Sequence, residues 1–199
     1  MSPPAAPHPE TQPGIQPGIG HAIVVITGIQ AAGKSTIAQA LAERLPRSVH
    51  VRGDAFRRMV IGGRADMTPD PSDEALRQLR LRHRLAAEVS DAYFEAGFTV
   101  ITQDVILGDN LADMITFIRG RPLLVVVLAP SATAVAAREA ARGKSAYGTW
   151  TVEQLDDNLR RHTPRLGLWL DTSGQTPDET VDEILARGPA EATIPGRRR

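Results

Sequence analysis

The stretch Thr27–Thr36, "TGIQAAGKST", decides the fold of this 199-residue chain. Its residues Gly28, Gly33, Lys34 and Ser35 match the pattern G-x-x-x-x-G-K-[ST], between an apolar run and a helical pattern. The glycines let the backbone curl so that N–H groups point at a polyphosphate, and the helix start adds partial positive charge. The stretch therefore predicts a P-loop.

A P-loop implies ATP and Mg²⁺ as cofactors, with Lys34 on the β- and γ-phosphates and the Ser35 hydroxyl on the metal ion. The choice of lysine supports this, because Lys34 and Lys144 are the only lysines beside twenty-one arginines. A compact ammonium is therefore required where arginine would be the usual cation of this chain. We expect the nucleotide to contact Gly28, Ala31, Ala32, Gly33, Lys34, Ser35 and Thr36.

Short apolar runs alternate with helical patterns along the chain, as in "HAIVVIT", "SVHV", "FTVIT", "LLVVVLA" and "LGLWLDT". Strands that are apolar throughout are typical of parallel strands covered on both faces. The pattern predicts an α/β fold: a doubly wound, parallel five-stranded sheet in three α/β/α layers, of the P-loop NTPase class.

The ends of the chain differ from its middle in composition. Residues 1–20 contain six prolines, and residues 189–199 read "PAEATIPGRRR", so neither segment offers enough apolar surface to order itself. We expect a disordered proline-rich tail over 1–20, one P-loop domain over 21–188 and a flexible tail over 189–199. The length also suits one domain rather than two.

Two acidic residues follow strands of the predicted sheet, at the edge where the P-loop lies. Asp54 comes just after the second strand, where it is suited to accept the proton of an attacking hydroxyl, or simply to cap a helix. Asp104 ends the third strand, where it could ligate Mg²⁺ and contact the substrate, or be an ordinary strand-end carboxylate. Arg57 and Arg58 follow Asp54 and could anchor an acceptor, or lie on a solvated surface.

A second Gly-Lys-Ser occurs in "AARGKSAYG", Ala140–Gly148, but it is not a second P-loop. Arg138 stands where a glycine is needed, and a helical pattern precedes the motif instead of a strand. We interpret Arg138, Arg142 and Lys144 as a lid that brings cations to the transferred phosphoryl group, with Arg142 the main contributor. Stabilisation of a helix end by cations is the alternative.

The composition of the chain limits the classes of partner that we expect. The formal net charge is zero, which gives no reason to expect a nucleic-acid or membrane surface, and no apolar stretch is long enough to cross a bilayer. The absence of cysteine suits a reducing, cytoplasmic location. The oligomeric state is not predicted. The arginine run Arg77, Arg80, Arg82 and Arg84 is interpreted as the solvated face of a helix.

The order of P-loop, acid after the second strand, acid after the third and arginine-rich lid resembles the small P-loop kinases of metabolites, such as shikimate and gluconate kinases. The stretches "GIQAAGKS", "QDVILGD" and "AREAARG" resemble more specifically the chloramphenicol phosphotransferase group. That resemblance implies a general base at Asp54 and lid arginines at Arg138 and Arg142. The chain departs from the family pattern at Gln103, where the family has an acid, and at Lys144–Ser145.

These observations predict an enzyme that moves the γ-phosphate of ATP to a hydroxyl of a small molecule, such as an antibiotic. Tyr147, Trp150 and Trp169 could line a partly apolar acceptor pocket, although core packing is the simpler expectation for Trp169. The alternatives are a kinase of a sugar, nucleoside or nucleotide-sugar, and a non-catalytic nucleotide switch that binds a protein partner.

Overall fold

Five parallel strands form one sheet in the computed structural model, which describes residues 18–141 and 149–196. The spatial order is β2-β3-β1-β4-β5, and each neighbouring pair is parallel. The strands are β1 (Ile23–Thr27), β2 (Ser48–Arg52), β3 (Thr99–Gln103), β4 (Leu123–Leu128) and β5 (Leu168–Leu170). The predicted parallel five-stranded sheet is therefore confirmed.

The three inner strands are buried along their whole length. Every residue of β1, β3 and β4 is buried, and most of these residues are Ile, Val or Leu. Side chains alternate between the two faces of a strand, so both faces of the sheet must be covered by other elements. The apolar runs in the sequence reflect this double coverage, and β1 delivers the P-loop to the middle of one sheet edge.

Seven α-helices flank the strands within the described ranges. They are α1 (Lys34–Glu43), α2 (Gly53–Met59), α3 (Asp73–Glu95), α4 (Asn110–Phe117), α5 (Ala132–Ala141), α6 (Val152–Asp157) and α7 (Pro177–Glu191). A π-helical turn, Asn158–His162, continues α6. Two helices have clear start signals: Ser72 caps α3, and Thr176 with Glu179 forms a capping box on α7. None of these helices is long and apolar enough to span a bilayer.

The end of the domain lies later than predicted. Helix α7 runs to Glu191, and the fully buried Ala192 accepts a hydrogen bond from the Val125 N–H at 2.9 Å. The N–H of Ile194 donates to the Leu123 carbonyl at 2.8 Å. The prediction of a flexible tail from residue 189 is therefore wrong for the described residues 189–194, which complete the edge of β4.

The start of the domain is also slightly earlier than residue 21. Ile19 is buried in the core, and the Gly20 carbonyl accepts a hydrogen bond from the Thr99 hydroxyl at 3.0 Å. The rest of the predicted N-terminal tail, residues 1–17, lies outside the described residues.

A chain ending at Gly188 should be less stable than the full chain by about 3 kcal/mol. The shortened chain loses two backbone hydrogen bonds, each worth about 1 kcal/mol, together with the buried Ala192 and the last turn of α7. Urea unfolding followed by circular dichroism measures the difference. A chain ending at Gly196 is the control and should unfold at the same urea concentration as the full chain. Equal stability of the chain ending at Gly188 would show that these contacts contribute nothing.

Candidate active site

The P-loop joins β1 to α1 with a backbone that only particular residues adopt. Gly28 has φ of 147°, and a Cβ on it would lie 2.5 Å from the Leu128 carbonyl oxygen of β4. Gly33 has φ of 95° and directly precedes α1, while Ala31 is a non-glycine residue with φ of 58°. The loop therefore follows a strand, turns tightly against β4 and opens a helix, as the motif requires.

Lys34 is buried at the start of α1. Its ammonium donates a hydrogen bond to the Ile29 carbonyl across the loop at 2.7 Å. Lys34 and Ser35 both line a cavity of about 710 Å³, which we call the large cavity. Lys34 and Ser35 therefore line the same cavity.

The parallel sheet brings the residues after β2 and β3 to the same space. The large cavity is lined by Gly33, Lys34 and Ser35 of the P-loop and also by Asp54 and Asp104. This follows from topology, because the carboxyl ends of parallel strands meet at one edge and β3 lies between β2 and β1.

Asp54 lies in the first turn of α2 and does not cap it. The helix begins at Gly53, and the residue in the capping position is Arg52, with no side-chain cap. The Asp54 Oδ2 atom pairs with the Arg58 guanidinium at 2.9 Å. Its Oδ1 atom is buried and accepts no hydrogen bond from the described residues, with the Arg52 Nε atom 3.8 Å away. One carboxylate oxygen thus keeps its acceptor capacity inside the molecule.

The two arginines after Asp54 have different surroundings. Arg57 lines the large cavity and donates from Nε to the Asp66 Oδ1 atom at 2.7 Å. Arg58 is exposed, lines neither described cavity and holds Asp54 instead. The predicted role in acceptor binding is consistent with the position of Arg57, and the position of Arg58 does not support it.

Asp104 is held by Arg82, which was predicted to lie on the solvated face of a helix. The Arg82 Nε and Nη2 atoms donate to the two oxygens of Asp104, and the Val105 N–H donates to Oδ1 at 2.7 Å. Asp104 is 5% exposed and the Arg82 side chain 15%. Both Asp104 oxygens bind a guanidinium here, and the role of Asp104 as a Mg²⁺ ligand stays a prediction. Asp104 does line the large cavity, as its predicted role at the substrate requires.

Arg82 also corrects the interpretation of the arginine run. Arg77, Arg80 and Arg84 are exposed, as expected, but Arg82 is largely covered. Burial lowers the pKa of Arg82 to about 10, while the nearby charges of Asp54 and Asp66 favour the guanidinium. The spacing of Arg82 from Ala75, Leu79 and Ala86 is that of one helix face and could have indicated its burial.

A glycine makes room for the Asp104 carboxylate. A Cβ on Gly53 would overlap the Oδ2, Cγ and Cβ atoms of Asp104. Only glycine therefore lets α2 start this close to the end of β3. As a result, Asp54 is carried by a helix whose first residue packs on the Arg82–Asp104 pair.

The predicted lid is described only in part. Arg138 lies on α5 and donates to the Thr172 carbonyl. It lines a second cavity of about 220 Å³, the small cavity, together with Ala31, Ala32, Gly33 and Thr36 of the P-loop. Arg138 does not line the large cavity beside Asp54. Arg142 and Lys144 lie outside the described residues, as does Tyr147, so their roles stay predictions.

The two tryptophans have different surroundings. Trp150 lines the large cavity, and its indole N–H donates to the Met67 carbonyl at 3.2 Å. Trp169 lies in β5 under the Arg165 guanidinium and lines neither described cavity. The expectation of packing for Trp169 therefore agrees with its position.

Comparison with known proteins assigns the family. A family model described as AAA domain (AAA_33) matches residues 23–165. The chain belongs to this AAA domain family. No curated protein sequence matches the chain significantly.

Solved structures show the same fold for this AAA-domain protein. A sugar kinase from Janibacter sp. HTCC2649 is 21% identical with a TM-score of 0.59, over 83% of this chain and 92% of that one. The tunicamycin resistance protein of Deinococcus radiodurans is 18% identical with a TM-score of 0.61, over 88% and 99%. The Mycobacterium tuberculosis APS kinase, in complex with AMPPNP and APS, is 19% identical with a TM-score of 0.61, over 84% and 96%.

Gly53→Ala should lower the free energy of unfolding by about 2 kcal/mol, because the new methyl group forces Asp104 or α2 to move. The usual effect of this change near a helix is a small gain. Gly62→Ala is the matched control, since a Cβ there meets nothing within 4 Å, and should change stability by less than about 0.5 kcal/mol. Urea unfolding of both variants measures the contrast, and equal effects would contradict the packing argument.

Proposed function

We propose that the protein transfers the γ-phosphoryl group of ATP to a hydroxyl group of a small molecule. The observation that carries this proposal is that Asp54, whose Oδ1 atom accepts no hydrogen bond from the described residues, lines the same cavity as Lys34 and Ser35. A hydroxyl that donates to this oxygen would lie in the space into which the P-loop presents a terminal phosphate.

The nucleotide would span both cavities, which share Ala31 and Gly33 of the P-loop. The phosphates would follow the loop backbone toward Lys34, and the base end would enter the small cavity beside Arg138 and Thr172. The Ser35 hydroxyl is the protein group suited to Mg²⁺, which would neutralise phosphate charge when bound. This assignment gives Arg138 a role in nucleotide binding.

The reaction then requires little covalent chemistry from the protein. The acceptor oxygen forms a bond to the γ-phosphorus as the bond to the β-phosphate oxygen breaks, and ADP leaves. Asp54 Oδ1 accepts the hydroxyl proton, while Lys34 stabilises charge on the transferring group. Arg58 holds the other Asp54 oxygen and so fixes the orientation of the carboxylate.

Three lines of argument support a small acceptor. First, the large cavity has the size of a small-molecule site. Second, the solved structures with this fold include proteins named as a sugar kinase and an APS kinase. Third, the sequence resembles that of chloramphenicol phosphotransferases. An antibiotic as acceptor is consistent with the fold of a protein named for tunicamycin resistance. A partner of this kind requires neither nucleic acid nor membrane.

Asp54→Asn should lower kcat for phosphate transfer by about 100-fold, because the amide cannot accept the hydroxyl proton. The affinity for ATP should stay within about threefold, since Asp54 is not part of the P-loop. Transfer from radiolabelled ATP to a panel of hydroxyl compounds measures the first effect, and equilibrium binding measures the second.

Asp70→Asn is the control for Asp54→Asn, because Asp70 is exposed and lines neither described cavity. Full activity of the Asp54→Asn variant would show that Asp54 is not the general base. Tight ATP binding with no transfer to any compound, together with a partner protein captured only in the ATP-bound state, would favour the nucleotide switch instead.

A further inference from the structure

Positive and negative side chains are equal in number among the described residues that line the large cavity. Among its described lining residues, the cations are Lys34, Arg57 and Arg82, and the carboxylates are Asp54, Asp66 and Asp104. Lys34 belongs to the P-loop and serves the nucleotide. The remainder of the cavity, which we call the acceptor half, therefore has two arginines against three carboxylates.

Asp66 neutralises Arg57, one of the two arginines of the acceptor half. The Arg57 Nε atom donates to Asp66 Oδ1 at 2.7 Å, and the Arg64 Nε atom lies 3.8 Å from the same oxygen. This hydrogen bond lowers the pKa of Asp66 and raises that of Arg57, so both groups are charged at neutral pH. An anion that needed Arg57 would have to compete with a carboxylate that already holds it.

Asp104 neutralises the second arginine deeper in the cavity. Two N–H groups of Arg82 bind both oxygens of Asp104, which is the most complete pairing that a guanidinium and a carboxylate can form. Separating such a covered pair leaves an uncompensated charge and is strongly unfavourable. Arg82 therefore offers no free positive charge to an acceptor.

The rest of the acceptor half suits an apolar body with a few hydrogen-bonding groups. Phe56, Met67, Leu79 and Trp150 line it, and together they supply a broad apolar wall. Asn158, at the start of the π-helical turn, also lines the cavity, and its buried side-chain oxygen has no hydrogen-bond partner among the described residues. A donor on the acceptor, such as a hydroxyl or amide N–H, would satisfy this oxygen.

We propose that Asp66 determines the charge of the acceptor: by pairing with Arg57 it excludes anionic hydroxyl compounds and leaves a site for uncharged, partly apolar ones. This inference rests on the proposed phosphotransfer function and specifies its substrate class. Both arginines among the described lining residues already bind a carboxylate, so an anionic acceptor would have to displace that carboxylate in order to pair with either of them. Exclusion by an unfavourable charge contact is a common basis of specificity.

The test uses two alcohols of nearly the same shape, 4-(hydroxymethyl)benzamide and 4-(hydroxymethyl)benzoate, which differ in charge and in the N–H donors of the amide, so that the comparison with Asp66→Asn isolates the effect of charge. With the wild-type protein, kcat/KM for the amide should exceed that for the carboxylate by about tenfold or more. Asp66→Asn should reduce this ratio to about two- to threefold, and the change should come from faster transfer to the carboxylate. The Asp66 side chain is 46% exposed, so its replacement should leave folding intact, which circular dichroism checks.

Asp70→Asn, in the same loop but outside the cavity, should keep the wild-type ratio. Transfer that favours the carboxylate in the wild-type protein would overturn the inference on charge while supporting phosphotransfer itself. An unchanged ratio in Asp66→Asn would show that Asp66 does not determine the preference.

Binding of the same two compounds in the presence of a non-hydrolysable ATP analogue separates the inference from the proposed function. If the amide binds about tenfold more tightly and Asp66→Asn loses this difference, the charge preference is supported even when neither compound is phosphorylated. The absence of phosphorylation would then count only against the proposed phosphotransfer. Equal binding, tighter binding of the carboxylate, or no binding of either compound overturns the inference.

Discussion

The ion pair between Arg82 and Asp104 is the interaction on which the arrangement of the site depends. It joins α3 to the end of β3, and its carboxylate packs directly on Gly53, the first residue of α2. Loss of one partner of a buried pair typically costs about 3–5 kcal/mol, because the other charge is left uncompensated in the interior. The position of Asp54, one residue beyond Gly53, thus follows from a contact made by three separate elements of the chain.

The sheet and the P-loop were predictable because their signals are local. Strands that are apolar throughout indicate a sheet covered on both faces. The spacing of Gly28, Gly33 and Lys34 indicates a turn that follows a strand and begins a helix. Topology then places Asp54 and Asp104 at the same sheet edge without further information. A phosphate site with acidic residues at the same sheet edge could therefore be predicted from the sequence alone.

The pairings inside the site could not be obtained in this way. Arg82 and Asp104 are 22 residues apart, and nothing local to Asp104 distinguishes a metal ligand from a partner of arginine. Asp66 lies in an irregular loop that carries no periodic pattern, so its contact with Arg57 appears only in three dimensions. The end of the domain was missed for a related reason: residues 192–194 have a polar, proline-containing context, yet their backbone completes the edge of β4. In each case a contact between residues far apart in the sequence, and not the composition of the segment, determines the local structure.

A structure of the protein with a non-hydrolysable ATP analogue and a hydroxyl acceptor would test the central claim most directly. The account predicts phosphates along the P-loop, the acceptor in the large cavity, and its hydroxyl oxygen about 3 Å from Asp54 Oδ1 and in line with the γ-phosphorus. The Arg57–Asp66 and Arg82–Asp104 pairs should remain intact. An acceptor bound outside this cavity, or an Asp54 carboxylate turned away from the acceptor hydroxyl, would contradict it.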